Sequence, residues 1–255
     1  WITWPHNRKD WPGLFKFIPK TFAEIISAIS RHQLVNLIVK PNESIFDIKK
    51  DLLNQSAELN SINFHKISSN RVWIRDYGPI FLVNKKKKRK VFLNFKFNGW
   101  SKYKDFKLDN KVNDKISTII KIRKFEPEIK VGKIKRKFVF EGGAFDVNGR
   151  GSILLTKECL LSRVQQRNPG IKKADYEKIL SNLLNVKNFI WLNKGIKGDD
   201  THGHIDDICR FVSPNTIMTA IENNKKDKNY KILQNNFNIL KKAKNIDGKN
   251  FNLIK

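Results

Sequence analysis

Gly198-Asp199-Asp200-Thr201-His202-Gly203-His204-Ile205-Asp206-Asp207 sets two imidazoles and four carboxylates within ten residues. His204 and Asp206 are two apart, so on an extended strand their side chains project from the same face. The flanks favour a strand: Ile205, Ile208, Phe211 and Val212 are β-formers, and Gly195, Gly198 and Gly203 punctuate the approach. Two other readings compete with acid–base chemistry. Two histidines and an aspartate are ligand types for zinc or iron, although the framing of His-x-x-x-His or paired Cys-x-x-Cys sites is missing. An acidic loop that binds nothing is the other.

Two further islands carry the same mark. Residues 71–79, Arg-Val-Trp-Ile-Arg-Asp-Tyr-Gly-Pro, predict an apolar strand that runs into Arg75-Asp76 and stops at Gly78-Pro79. Residues 137–143, Lys-Phe-Val-Phe-Glu-Gly-Gly, predict a strand that ends in Glu141 and a double glycine. One acid at a strand end signals a turn or a surface ion pair. Three such ends predict a shared cleft.

Trp73-Ile-Arg-Asp76-Tyr-Gly-Pro79, Phe140-Glu141-Gly-Gly143 and the 198–206 segment together resemble the signature blocks of the agmatine deiminase and bacterial-type peptidylarginine deiminase family. Trp4-Pro-His-Asn7, Trp11-Pro-Gly13, Phe97-Asn-Gly-Trp100 and Asn193-Lys-Gly195 extend the resemblance along nearly the whole chain, in order. The resemblance implies an α/β pentein fold, a five-bladed propeller of ββαβ-type modules, with residues 1–255 as a single deiminase-type domain. It also implies hydrolysis of a guanidinium to a ureido group with loss of ammonia, without metal or organic cofactor. Agmatine would yield N-carbamoylputrescine for polyamine synthesis; in the peptidyl branch, arginine would yield citrulline. A non-catalytic pentein-like binder of guanidinium or polyanions is the alternative of another class.

A guanidinium is planar, cationic and a poor electrophile, so a site must grip its nitrogens with carboxylates and present a thiolate to its carbon. By resemblance, Asp76 and Asp206 clamp the guanidinium, Glu141 and His204 move protons, and Trp73 supplies an aromatic wall; read from the strand pattern alone, Trp73 is core. His202 departs from the family pattern and takes no role. Ser101-Lys-Tyr103 stands where the family carries a glycine pair, which bears on the substrate-tail pocket.

The family nucleophile lies in a glycine-rich block ending in His-Cys, and no such block occurs in this sequence. The two cysteines, Cys159 and Cys209, read as buried thiols, and neither is nominated. The chain opens at Trp1 inside what resembles the family's first block and stops at Lys255 in what reads as a strand. The expectation is therefore a chain truncated at both ends, with the last blade and its cysteine beyond residue 255. Such a chain alone would not complete covalent turnover.

Composition bounds partners and compartment. The 255 residues are 40% hydrophobic, enough for one large or two small domains, and no apolar run approaches the roughly 18–20 residues that span a bilayer. Two cysteines provide no disulfide framework, which points to a reducing cytoplasm. The net charge of +27 attracts polyanions, yet lysine outnumbers arginine by about 40 to 11, and the lysines are spread among asparagine and isoleucine as AT-rich codon usage produces. Specific nucleic-acid readers favour arginine, so no specific nucleic acid is expected, and no membrane; the family resemblance implies a small guanidino substrate as partner, with a homo-oligomer as a further expectation. The densest run, Lys85–Lys90, lies between two apolar segments and predicts a β-hairpin tip.

Periodicity predicts helices over 22–32 (capped by Thr21), 45–59, 109–123, 173–184 and 230–243, and strands over 34–39, 63–67, 190–192 and 217–221. A doubly wound fold would show the same alternation, but with an early Gly-rich phosphate loop, which is absent.

Overall fold

The computed structural model describes residues 1–84 and 86–255. The architecture is mixed α/β, and the chain divides into two compact units, residues 1–79 with 104–124, and residues 80–103 with 125–255. Each is described by itself.

In the first unit, β1 (Ile2–Thr3), β2 (Val35–Val39) and β3 (Ile62–Lys66) form a parallel sheet in that order, with Leu37 opposite Ile2 and Val35 opposite Ile62. Parallel neighbours need crossovers. α1 (Ile18–Ser30) and α2 (Ile45–Asn54) supply them, and Ala23, Ile26, Ile48 and Leu52 pack with Leu37 and Val39. α1 starts earlier than its periodicity suggests because Pro19 is preorganised for a first turn; Thr21 lies inside the helix and does not cap it. Ser44 caps α2 by accepting from Asp47 N–H at 3.2 Å. α2 ends at Asn54, short of the predicted Leu59, where Ser56 turns left-handed at φ 59°.

The predicted strand over 71–79 is not one. Its second half is a single helical turn, α3 (Ile74–Tyr77), closed by Gly78 N–H donating to Ile74 O at 2.7 Å. A Cβ on Gly78 would lie 2.3 Å from that carbonyl oxygen, so the closure requires glycine. α4 (Asp109–Ile120) completes the unit and stops at Lys121, which is left-handed at φ 54°.

The second unit begins with an antiparallel hairpin of β4 (Ile80–Asn84) and β5 (Arg89–Leu93). Lys86–Lys88 form its turn, as the lysine run predicts; Lys85 lies outside the described residues. β6 (Lys124–Phe125) follows β5 in the sheet order, with Asn94 N–H donating to Phe125 O. β7 (Glu128–Val131) and β8 (Ile134–Lys137) form a second hairpin. Beyond it, residues 138–141 are extended, but their ladder is one bridge between Val139 and Lys96, so Glu141 ends an extended segment and not a full strand.

Two three-stranded sheets repeat one plan. β9 (Phe145–Val147) pairs antiparallel with β10 (Ser152–Thr156); after α5 (Lys157–Leu161) and α6 (Lys173–Leu184), β11 (Asn188–Leu192) joins β10 in parallel. β12 (Cys209–Ser213) pairs antiparallel with β13 (Thr216–Thr219); after α7 (Tyr230–Lys242), β14 (Asn252–Ile254) joins β13 in parallel. β10 is buried throughout. Ile153 and Leu155 enter one core with Phe138, Phe140 and Tyr176, while Leu154 enters another with Ile190, Leu192 and Ile217, as strand alternation requires. Among the described residues, no helix is long and apolar enough to cross a membrane.

Candidate active site

The expectation that His204 and Asp206 share a strand face is overturned. Residues 201–208 form turns, and the strand starts only at Cys209. Asp199 organises those turns. Its Oδ1 accepts from Thr201 N–H at 2.7 Å and from the Thr201 hydroxyl at 2.6 Å, and its Oδ2 accepts from Gly203 N–H at 2.5 Å and His204 N–H at 3.2 Å. A carboxylate that gathers this many backbone donors competes with any ladder the segment offers. Gly203 sits at φ 98° with Glu158 Cβ 3.2 Å from where its own Cβ would stand, which holds the turn close to α5.

The turn delivers His204 into the interior, where it is 3% exposed. Its Nδ1 lies 3.9 Å from Asp206 Oδ1, and the Asp206 side chain remains partly open at 21%. Glu141, fully buried, comes from the other side, and the donor atoms of Glu141, Cys159 and His204 all lie within 4.8 Å of one another. Two of the three predicted strand-end acids, Glu141 and Asp206, thus flank one imidazole.

The partner of Glu141 is Arg167. Arg167 Nε donates to Glu141 Oε1 at 2.9 Å with both side chains fully buried, and the same guanidinium donates to Gln165 O and Thr201 O. The neighbouring Asn168 side chain pairs with both backbone groups of Val139, donating to its O at 2.7 Å and accepting from its N–H at 3.1 Å. It thereby stands in for a missing strand beside the segment that carries Glu141. The sequence reading misses Arg167: in Arg167-Asn-Pro-Gly170, a turn signal, arginine reads as surface, and no local cue marks its burial.

The acids in the 198–207 segment divide their labour. Asp200 faces outward, pairing with Lys102 and Tyr103, and Asp207 is exposed. Cys209 is buried, and burial pushes its thiol up to about 12, so it stays protonated at neutral pH. Cys159 is also buried and opens α5, with its N–H on the capping Thr156 hydroxyl at 3.2 Å.

In the first unit, Trp73 is 40% exposed and packs against Trp11 at 5.3 Å, so the core reading of Trp73 does not hold. Asp76 is half-buried on α3. The segment carrying both residues is anchored at buried Asp109, whose Oδ1 accepts from Asn70 N–H at 2.7 Å and Arg71 N–H at 3.1 Å. Tyr77 closes its far end by donating to Arg71 O at 2.7 Å, and the Arg71 guanidinium pairs with Asp10 and Asp105.

Breaking the Arg167 pair leaves a buried carboxylate uncompensated. Arg167→Met is expected to destabilise the protein by about 3–5 kcal/mol, measured by urea unfolding. Burial pushes the Asp109 carboxyl up from 3.8 to about 7, against the pull of its backbone donors and Arg71. The folded state then holds this proton more tightly than the unfolded chain, a contribution fully present below pH 3.8 and lost as pH rises through about 7. Asp109→Asn, which keeps an acceptor oxygen, is expected to flatten the fall in stability over that window; an unchanged profile would contradict it.

Residues 1–255 match the family model of Porphyromonas-type peptidyl-arginine deiminase. A Legionella pneumophila (strain Paris) protein, named provisionally as an agmatine deiminase, is 34% identical over 254 residues, covering 98% of this chain and 68% of its own length. A solved agmatine deiminase of Enterococcus faecalis superposes with a TM-score of 0.86 at 28% identity, over 99% of this chain and 66% of the other. A cysteine-to-serine variant of the C. jejuni agmatine deiminase with substrate bound gives 0.81 at 33% identity, over 99% and 68%. The chain spans about two thirds of the length of these relatives. Similar to these agmatine deiminases over 98–99% of its length, the chain belongs to the Porphyromonas-type peptidyl-arginine deiminase family.

Proposed function

We propose that the protein hydrolyses the guanidinium of agmatine to N-carbamoylputrescine and ammonia through a cysteine-bound intermediate. The observation that carries this reading is the buried meeting of Glu141 and His204, with Asp206 beside the imidazole, in a chain of this family. The five-bladed propeller belongs to the same reading. Its support is the strand–strand–helix–strand order seen in β9–β11 and β12–β14 and followed in sequence by β4, β5, α4 and β6.

In this mechanism Asp76 and Asp206 bind guanidinium nitrogens, and Trp73 offers an aromatic face to the cation. A thiolate attacks the guanidinium carbon and gives a tetrahedral adduct. Glu141 and His204 relay a proton to the departing nitrogen, which leaves as ammonia. A water deprotonated by His204 then attacks the thiouronium carbon, the C–S bond breaks, and the ureido product leaves with the thiolate restored. Arg167 keeps Glu141 in place. Neither Cys159 nor Cys209 lies in the glycine-rich His-Cys block in which the family resemblance puts the nucleophile, so neither is assigned the thiolate.

A second reading, deimination of arginine within peptides, is favoured by the family's description alone. Both require a carboxylate clamp, whose hydrogen bonds to a charged group are worth about 1.5–3 kcal/mol each. Titration calorimetry with agmatine is expected to show saturable binding that Asp206→Asn weakens roughly ten- to hundredfold. Equal affinity in that variant would remove Asp206 from the clamp, and binding of an arginyl peptide in preference to agmatine would select the second reading.

A further inference from the structure

Three residues from three separate segments meet in the interior: Glu141 at the end of an extended segment, Cys159 in α5, and His204 in the turn built by Asp199. Carboxylate, thiol and imidazole together make a donor set suited to zinc, and the thiol makes it thiophilic. All three are buried, and their donor atoms lie within 4.8 Å of one another. A tetrahedral zinc ion separates its ligand atoms by roughly 3.5 Å, so closure asks for a shift of roughly an ångström, the scale of a side-chain adjustment. The deimination chemistry gives Cys159 no task.

The surroundings fit a metal centre. Arg167 holds Glu141 Oε1, while Glu141 Oε2 is buried with no hydrogen-bond partner among the described residues. Asp206 Oδ1 stands 3.9 Å from His204 Nδ1, a small side-chain rotation short of the hydrogen bond by which a carboxylate orients a ligating imidazole. The half-open Asp206 gives the site an edge toward solvent.

We propose that Glu141, Cys159 and His204 form a binding site for a thiophilic divalent cation, zinc above all, and that its occupancy shuts the enzyme off. Binding displaces the Cys159 thiol proton to solvent, forms the metal–sulfur bond and sheds waters from the hydrated ion, with no change of oxidation state. The inhibitory consequence rests on the proton-transfer roles given to Glu141 and His204 above; the binding itself does not. Occupancy by metal and by guanidinium then exclude each other, because both call on the same two groups.

Cobalt(II) is the probe, since a thiolate–cobalt bond produces a near-ultraviolet charge-transfer band that needs no turnover. Titration of the protein with cobalt is expected to give a band that saturates at one equivalent and is abolished by added zinc. The band should persist in Cys209→Ser, disappear in Cys159→Ser and Cys159→Ala, and require at least tenfold more cobalt in Glu141→Gln. Zinc inhibition of agmatine deimination should be competitive and at least tenfold weaker in Cys159→Ser. No band in the wild-type protein, or a band or zinc sensitivity unchanged by loss of Cys159, would overturn the site. A band without ammonia release from the protein expressed from its complete reading frame would instead leave the metal site standing and remove the deiminase reading.

Discussion

The ion pair between Glu141 and Arg167 holds the candidate active site together. Burying two charges costs several kcal/mol per ion, and a single contact at 2.9 Å seldom repays this outright. The return here is geometric. One guanidinium reaches the carboxylate, the carbonyl of Gln165 and the carbonyl of Thr201, and so joins three segments far apart in sequence. Thr201 belongs to the turn that positions His204, so the same arginine sets both proton-transfer candidates.

Polar side chains do similar work elsewhere in the chain. Asp199 spends both oxygens on the turn before His204, Asn168 replaces a strand along Val139, and Asp109 ties down the backbone at Asn70 and Arg71. Each sits where the backbone leaves regular structure, and each satisfies groups that a ladder would otherwise pair. Glu141, His204 and Asp206 thus stand on irregular segments, but these are irregular segments fastened to sheets. Such fastening is what precise positioning of a reacting group requires.

The regular parts of the fold were the legible ones. α6 was readable end to end because its apolar spacing stands alone, and the hairpin around the lysine run followed from two apolar segments flanking a polar tip. The candidate acids and the imidazole were found by their clustering and by family resemblance. Their secondary structure was misread at 71–79 and 201–208 because β-forming residues there are outcompeted by tertiary hydrogen bonds to Asp109 and Asp199, which local propensity does not register. Arg167 and Asp109 were missed altogether. Burial of a charge depends on partners distant in sequence, and neither residue has a neighbour that announces one. At Trp73 the strand pattern also offers a core reading beside that of an aromatic wall, and the core reading gives way because the ring is 40% exposed and packs against Trp11.

The most direct measurement is the rate of ammonia release from agmatine by the protein expressed from its complete reading frame, comparing wild type with Glu141→Gln. The substitution keeps volume and an acceptor oxygen while removing the proton-transfer group. The expected result is stoichiometric ammonia and ureido product from the wild type, with kcat lowered roughly 10²–10⁴-fold in the variant. Wild-type turnover carried through unchanged in Glu141→Gln, or no ammonia from the wild type, would contradict it.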